Sequence, residues 1–413
     1  MIPYLGEGVV LVLGAVLGRY APSAGLGLVL VSVPLRVPVF PEVHVATLLL
    51  VGLSAARAPE IAKVLVEEKL FLAATLAFPL WVLASLFWAR QPMFVWGLLG
   101  KWLVVVFAAW AAAADRTRDA RAVAAAVLLA VVPHAVWALL ERLHLVRPQG
   151  DPDLLRFRTI VFEGRVRGRA LFYHPNRLGE FAEQLALVLA GAGLSGVWPA
   201  VCLPAVALTF AGVWGTGSTG AMAGLGGGLV LLAAWILMSR REISKGLRRS
   251  LGVGGLAILA AAAVGLWAFW SHGGLGIRAH VYRFAVRTIE QNPVLGSGAG
   301  NWSLLVGKQG PEMSPLWFGG HAHSLLLHVG AELGVIGMVL VTFFFVGPIW
   351  AGLRRVARAP MSWRGIGLGA AFGAAALFGH NFVHYFLRDA ADGIVTGLVL
   401  GMVVGVARRA PPS

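Results

Sequence analysis

The chain has 413 residues, of which 58% are hydrophobic and 13% charged, with a formal net charge of +15 and a mean hydropathy of +0.78. This balance excludes an ordinary soluble globular domain and a disordered chain, because apolar runs of bilayer-spanning length recur from end to end. The positive charge does not point to nucleic acid, since most of it falls in short basic clusters between apolar runs.

The pattern predicts an all-α polytopic membrane protein, one integral membrane domain over 1–413. In chain order, spans are expected near Val9–Gly18, Leu26–Leu35, Val43–Ala56, Leu70–Trp88, Phe94–Ala114, Val123–Leu140, Leu178–Leu194, Val197–Val213, Ala221–Met238, Leu251–Trp270, Leu325–Trp350, Gly365–Phe386 and Ile394–Val406. The first three are short or broken by Gly and Pro, so these thirteen runs are compatible with twelve spans. No basic region precedes the first run, which is expected to insert and stay rather than be cleaved. Cys202 lies inside an apolar run and reads as a small core residue, which leaves no disulfide framework and no Cys-based metal site.

Basic clusters set the expected orientation. Arg116, Arg118 and Arg121 form one, Arg240, Arg241, Lys245, Arg248 and Arg249 a second, Arg354, Arg355, Arg358 and Arg364 a third, and Arg408 and Arg409 a fourth. Counting spans puts all four on one face, the cytoplasmic face by the positive-inside rule, together with the C-terminus. Residues 141–177 and 271–323 then form two external loops. The first carries Arg142, Arg147, Arg156, Arg158, Arg165, Arg167, Arg169 and Arg177, against the rule that orients the rest. Two readings fit: a solvated loop touching anionic headgroups, or an anion site, because guanidinium forks match phosphate and pyrophosphate. Arg278 and Arg283 in the second loop would serve the same chemistry.

The first loop enters a helix as RVRGRALFYHPNRLGEFAEQL. Pro175 fits a first-turn position, and Asn176, Glu180, Glu183 and Gln184 share a helical face that should turn into the bundle. The glutamates read first as ion-pair partners in helix packing; Arg169, His174 and Asn176 cluster at the mouth, where capping and ligand binding both fit. In the second loop, Ala279–Glu290 reads as an interfacial helix with Val281, Ala285, Thr288 and Ile289 inward and Arg283, Arg287 and Glu290 outward. Gly296–Gly300 lacks the preceding strand and following Lys-Ser/Thr of a phosphate loop and reads as a turn.

Taken in order, GRALFYHPNRLG, GTGSTGAMAG, RAHVYRFAVRTIEQNPVLGSGAGNW and HAHSLLLHVGAELGVIG resemble the signatures of the O-antigen ligase and polymerase superfamily, over residues 165–337. The resemblance implies a C-type glycosyltransferase-like fold of about 12 (12–13) transmembrane helices in the bacterial inner membrane. It implies that 141–177 is a first periplasmic loop and 271–323 a large periplasmic loop, with short helices and the catalytic motifs. The implied reaction transfers a preassembled glycan from undecaprenyl pyrophosphate to an acceptor hydroxyl, with no metal, cofactor or nucleotide sugar. The implied acceptor is a lipid A core sugar in a ligase, another repeat unit in a polymerase, or Ser/Thr in a protein O-oligosaccharyltransferase. The partners implied are that donor, a lipid A core or other glycan acceptor, and membrane lipids. His323 matches the family's essential histidine, Arg278 and Arg283 its two basic positions before Asn-Pro-Val-Leu-Gly, and Arg169 the arginine before His-Pro-Asn. Ser324 stands where Asn is usual, Tyr282 where Trp is common, and Thr219 where an Arg often follows Gly-Ser. Thr219 thus removes a possible phosphate contact, for which Arg177 or Arg287 could substitute.

The residue chemistry agrees with that implication. A sugar hydroxyl needs a positioned base, and histidine titrates in the useful range. A pyrophosphate leaves readily if arginines hold its developing charge in a partly water-excluded cavity. Direct displacement would invert the anomeric carbon, in keeping with the lack of an obvious carboxylate nucleophile. The catalytic candidates are His323, Arg278 and Arg283, with His321 a second candidate for the base. The substrate-binding candidates are Arg167, Arg169, His174, Asn176, Arg177, Arg287, His321 and His384. Metal ligands are not expected: His321 and His323, even with His272 or His280, lack an accompanying Cys cluster or HExxH helix. His380 and His384, one turn apart, line an acceptor cavity or satisfy each other. Glu332 lies about two and a half turns beyond His323 and reads as a structural partner, not as a direct orienter. A lipid-linked oligosaccharide flippase or other transporter is the rival class; such proteins place polar groups near the midplane in repeated halves. Here the polar groups concentrate at external mouths without a convincing repeat, which favours an enzyme.

Overall fold

The computed structural model describes residues 2–35, 44–115, 119–147, 161–162, 165–172, 174–238, 278–307, 320–388 and 390–410. The described helices are α1 (Ile2–Tyr20), α2 (Pro22–Ser32), α3 (Val45–Ala56), α4 (Ala58–Glu67), α5 (Lys69–Ala84), α6 (Pro92–Ala113), α7 (Ala120–Arg142), α8 (Pro175–Leu194), α9 (Pro199–Thr216), α10 (Thr219–Met238), α11 (Arg278–Gln291), α12 (Trp302–Gly307), α13 (Leu325–Val356), α14 (Met361–His380) and α15 (Ala390–Ala407). Between α7 and α8, β1 (Val161–Phe162) pairs antiparallel with β2 (Arg165–Val166). Proline opens α2, α6, α8 and α9, where its missing N–H would have had no helical partner. Twelve of the thirteen predicted apolar runs fall on helices. The run at 251–270, His272, the basic cluster at 240–249, and Arg116, Arg118, Arg156 and Arg158 lie outside the described residues.

By length and composition, six described helices can cross a bilayer: α5 with its 3-10 extension to Phe87, α6, α7, α9, α10 and α13. The pair α3 and α4, bent by 78°, makes seven if counted as one broken span. The other predicted runs lie on helices that are shorter or more polar, and α8 shows why polarity is tolerated. It is buried continuously from Arg177 to Gly193, so it meets protein rather than lipid and can carry glutamates.

Close helix approach rests on small residues. Gly397 and Gly401 of α15 let it lie against the backbone of α6 at Val105 and Ala109. Gly191 of α8 and Gly365 of α14 each occupy the space that a Cβ on the other would need. In a lipid environment this packing supplies association energy that the hydrophobic effect does not.

The two ends of the bundle differ. At one, Arg57 donates to the Ala114 carbonyl at 2.7 Å and lies 3.9 Å from Asp115. Beside it, Arg409 donates to the Asp115 carbonyl at 3.0 Å and stacks over Trp363, and Arg355 grips Glu68 with two bonds of 2.7 and 2.6 Å. The other end, about 34 Å along α7 by helical rise, holds Glu141, Arg142, and the segments leading into α8 and α13.

A break in α13 shapes that second end. Gly334 takes φ 68°, ψ −170°, outside the helical region, and a side chain there would meet the Val294 carbonyl. The freed backbone groups are repaired from the turn before α12. Ser297 N–H donates to Ala331 O at 3.1 Å, Gly298 N–H to Glu332 O at 2.7 Å, and Val335 N–H to Pro293 O at 2.8 Å. The Trp81 indole takes Leu333 O at 3.1 Å. This is how a broken helix remains tolerable at membrane depth.

Candidate active site

The site starts at Glu141, a fully buried carboxylate at the end of α7. Its Oε2 accepts the N–H groups of Arg169 and Ala170 at 2.6 and 3.0 Å, and its Oε1 accepts the Trp137 indole at 3.1 Å. Those bonds hold Ala170 at φ 49°, a strained left-handed conformation for a residue with a Cβ. Arg142 donates to Val166 O at 2.6 Å and lies over the Trp214 ring. The 165–170 segment is therefore fastened to the ends of α7 and α9.

Arg167 is placed by this segment. Its Nε donates to the Thr216 carbonyl at 2.7 Å, at the end of α9, and its Nη2 donates to the Asn176 side chain. The guanidinium lies beside Gly217, in the turn that runs into Thr219. Arg167 thus lies next to the Gly-Ser-Thr turn, where Thr219 stands in place of an arginine. Burial, then Arg278, then Arg142, lower the Arg167 pKa to about 10, so it stays charged at neutral pH, held close to two groups of its own sign. Such a cluster is discharged by an anion.

The N-terminus of α8 adds to it. His174 caps the helix, its Nδ1 accepting the Asn176 N–H at 3.1 Å, and Pro175 follows. Arg177 is buried one turn in, and Arg169 is also buried. Below them Glu180, Glu183 and Gln184 are fully buried. Glu180 Oε1 lies 3.1 Å from His384 Nε2, and Glu183 Oε1 3.2 Å from His380 Nδ1. The predicted helix through Phe386 ends at His380, because Asn381 turns the chain: its Oδ1 accepts Phe386 N–H and its carbonyl accepts Leu325 N–H, both at 2.8 Å. The His380 and His384 rings still stack, 5.5 Å apart, each against its own carboxylate. Burial first, then His380, His174, His323 and Arg278, lower the His384 pKa well below 6.5, so it is neutral at pH 7.

The second segment arrives through α11. Arg278 donates to Val383 O at 3.1 Å and also bonds the Tyr282 hydroxyl, which donates to the His323 carbonyl at 2.9 Å. Burial raises the Tyr282 phenol, with Arg278 opposing. Val281, Tyr282, Ala285 and Thr288 face inward, whereas Arg283 and Arg287 are exposed and Arg283 approaches His280 at 3.3 Å. The geometry brings Arg278 into the cluster and leaves Arg283 and Arg287 outside it.

His323 takes φ 53°, another left-handed residue with a side chain. Its N–H donates to His321 Nδ1 at 3.1 Å, so His321 carries its proton on Nε2. The same logic puts the His174 proton on Nε2. His321 cannot act as a base at Nδ1 without releasing His323. Its ring lies 4.2 Å from His323 and 6.1 Å from His384, centroid to centroid. Ser324, where the family commonly has Asn, caps α13 by accepting Leu327 N–H at 3.4 Å, the task Asn would perform. A cavity of about 270 Å³ adjoins the histidines, lined by Phe94, Lys101, Trp302, His328, Glu332 and Tyr385 among others. Among the described residues, no three His, Cys, Asp or Glu side chains are grouped to hold a metal ion.

Glu141, Asn381 and the pairing of His384 with Glu180 were not assigned to the site from sequence. The four-residue spacing of the two histidines against two buried glutamates was the signal for the last. The first two act through backbone groups, which leave no motif.

The fold is thus a multi-pass membrane bundle that gathers arginines and histidines at one end. Residues 204–342 match the family model described as O-antigen ligase, so this part of the chain is similar to the O-antigen ligase superfamily. The match runs from α9 into α13 and includes Arg278, His321 and His323. No curated protein matches the chain. The family points to a ligase- or polymerase-type glycosyltransferase acting on lipid-linked glycans in a membrane.

Proposed function

We propose that the protein transfers a preassembled glycan from undecaprenyl pyrophosphate to an acceptor hydroxyl, as an O-antigen ligase with a lipid A core acceptor. The supporting observation is the convergence of Arg167 and Arg278, 111 positions apart, beside a histidine held in a strained conformation. In this reading Arg167 and Arg278, backed by Arg169, Arg177 and the N-terminus of α8, hold the pyrophosphate. His323 takes the proton of the acceptor hydroxyl as its oxygen attacks the anomeric carbon. The C–O bond to phosphate breaks with its electron pair going to the pyrophosphate, and the anomeric configuration inverts. His321 contributes a donor from Nε2, and His174, Asn176 and His384 line the substrate mouth. The basic groups around Arg57, Arg355 and Arg409 fit a cytoplasmic end, which supports reading the site as facing the periplasm from the bacterial inner membrane.

The test is transfer by purified protein in detergent, supplied with an undecaprenyl-pyrophosphate-linked glycan and candidate acceptors, following product and released pyrophosphate lipid. Wild type should transfer only with acceptor present. His323→Ala, folded by thermal unfolding, should lose at least about 100-fold in kcat. Equal turnover by the variant removes His323 as the base, and transfer to a repeat unit in preference to a lipid A core makes the protein a polymerase.

A further inference from the structure

Two buried groups on α13, His328 and Glu332, stand apart from the arginines. Glu332 spends both oxygens on the turn before α12: Oε2 accepts Gly300 N–H at 2.8 Å and Oε1 accepts Trp302 N–H at 2.7 Å. Its Oε2 also lies 3.7 Å from His328 Nε2. On its other side, His328 Nδ1 accepts the N–H of Ala322 at 3.3 Å, and its ring packs between Trp302 and Tyr385, at 5.3 and 4.2 Å.

Ala322 is the residue between the two mouth histidines. Its N–H is tied to the His328 imidazole, and the next N–H, that of His323, is tied to His321. Tyr282 holds the His323 carbonyl. A side-chain-bearing residue stays in the left-handed region only where its surroundings over-determine it, and these three bonds do so for His323. Glu332 does not reach His323, but it fixes Trp302, one wall of the slot in which His328 sits.

We propose that His328 and Glu332 are positioning residues for His323, holding the 321–323 segment so that its imidazole stays presented to the acceptor. The proposal rests on the reading of His323 as the base. In this reading neither residue holds the pyrophosphate, so their loss lowers kcat and leaves donor KM in place. A displacement of about 1 Å at a reacting group is enough to cost on the order of 100-fold in rate.

The experiment separates hydrogen bonding from packing. His328→Leu keeps the slot filled but removes the acceptor, whereas His328→Asn keeps an oxygen able to take the Ala322 N–H. In the transfer assay, H328L should lose on the order of 100-fold in kcat with donor KM within about twofold, and H328N should recover most of it. In histidine-labelled protein, the His323 ring resonance should move in H328L and Glu332→Gln, and hold in H328N. An active H328L with an unmoved resonance overturns the proposal, as does an H328N as impaired as H328L; an unmoved resonance in E332Q removes Glu332. His323→Ala, assayed alongside, keeps the two readings apart. If it retains turnover, the base assignment fails, while the resonances still report whether His328 sets the conformation of His323.

Discussion

Single residues at the pocket carry two measurable consequences. Arg167 and Arg278 carry like charges close enough to interact, a repulsion that a bound pyrophosphate would relieve. Arg278→Ala or Arg167→Ala should therefore raise donor KM by about 10-fold or more, the loss of one charge-assisted bond or more. Arg283→Ala, on the exposed face of α11, should change it by less than about twofold. Competition by inorganic pyrophosphate against labelled donor checks both. His384 has a pH signature. Its pKa lies below 6.5 in the fold, and an unfolded chain binds the proton near that value. The unfolded state thus holds more protons as pH falls below 6.5, and stability drops from there toward the folded pKa. Thermal unfolding between pH 7 and 5 should show that loss, with a shallower slope in His384→Gln. Sequence alone made these residues candidates by type and motif. It could not separate Arg278 from Arg283, since both lie on one short helix and only its docking against 321–323 and Val383 decides which arginine turns inward.

At the scale of the element, the break in α13 decides the shape of the pocket. Gly334 sits at φ 68°, ψ −170°, and its Cα approaches Val294 too closely for a Cβ. Gly334→Ala should destabilise the protein by about 2 kcal/mol or more, from backbone strain and the collision together. A lowered unfolding temperature in detergent, with weaker protection of the Gly298 and Val335 amides in hydrogen exchange, would register it. An unchanged temperature would mean that the break is dispensable. The hydropathy of 325–350 reads as one straight span, and only the accounting of the Ala331, Glu332 and Leu333 carbonyls reveals the interruption. The polar stripe of α8 was legible from its spacing, and its burial followed. The partners of that stripe come from α14 and the loop beyond it, some 200 positions away, where no local pattern can register them.

For the molecule as a whole, packing through glycine sets the pocket's frame. α15 rests on α6 at Gly397 and Gly401, and α8 on α14 at Gly191 and Gly365. Gly401→Leu should push α15 off α6, lower the yield of monodisperse protein, and reduce transfer without altering any pocket residue. Full yield and turnover would show that this contact is not needed. Taken alone, the sequence determined the class, the helix positions and the residue types available for chemistry, because hydropathy, proline and charge act locally along the chain. The tertiary structure decided which charges meet, which histidine nitrogens are already occupied, and how the broken helix is repaired. Those depend on contacts between segments distant in sequence, where burial turns a modest preference into a requirement for a partner.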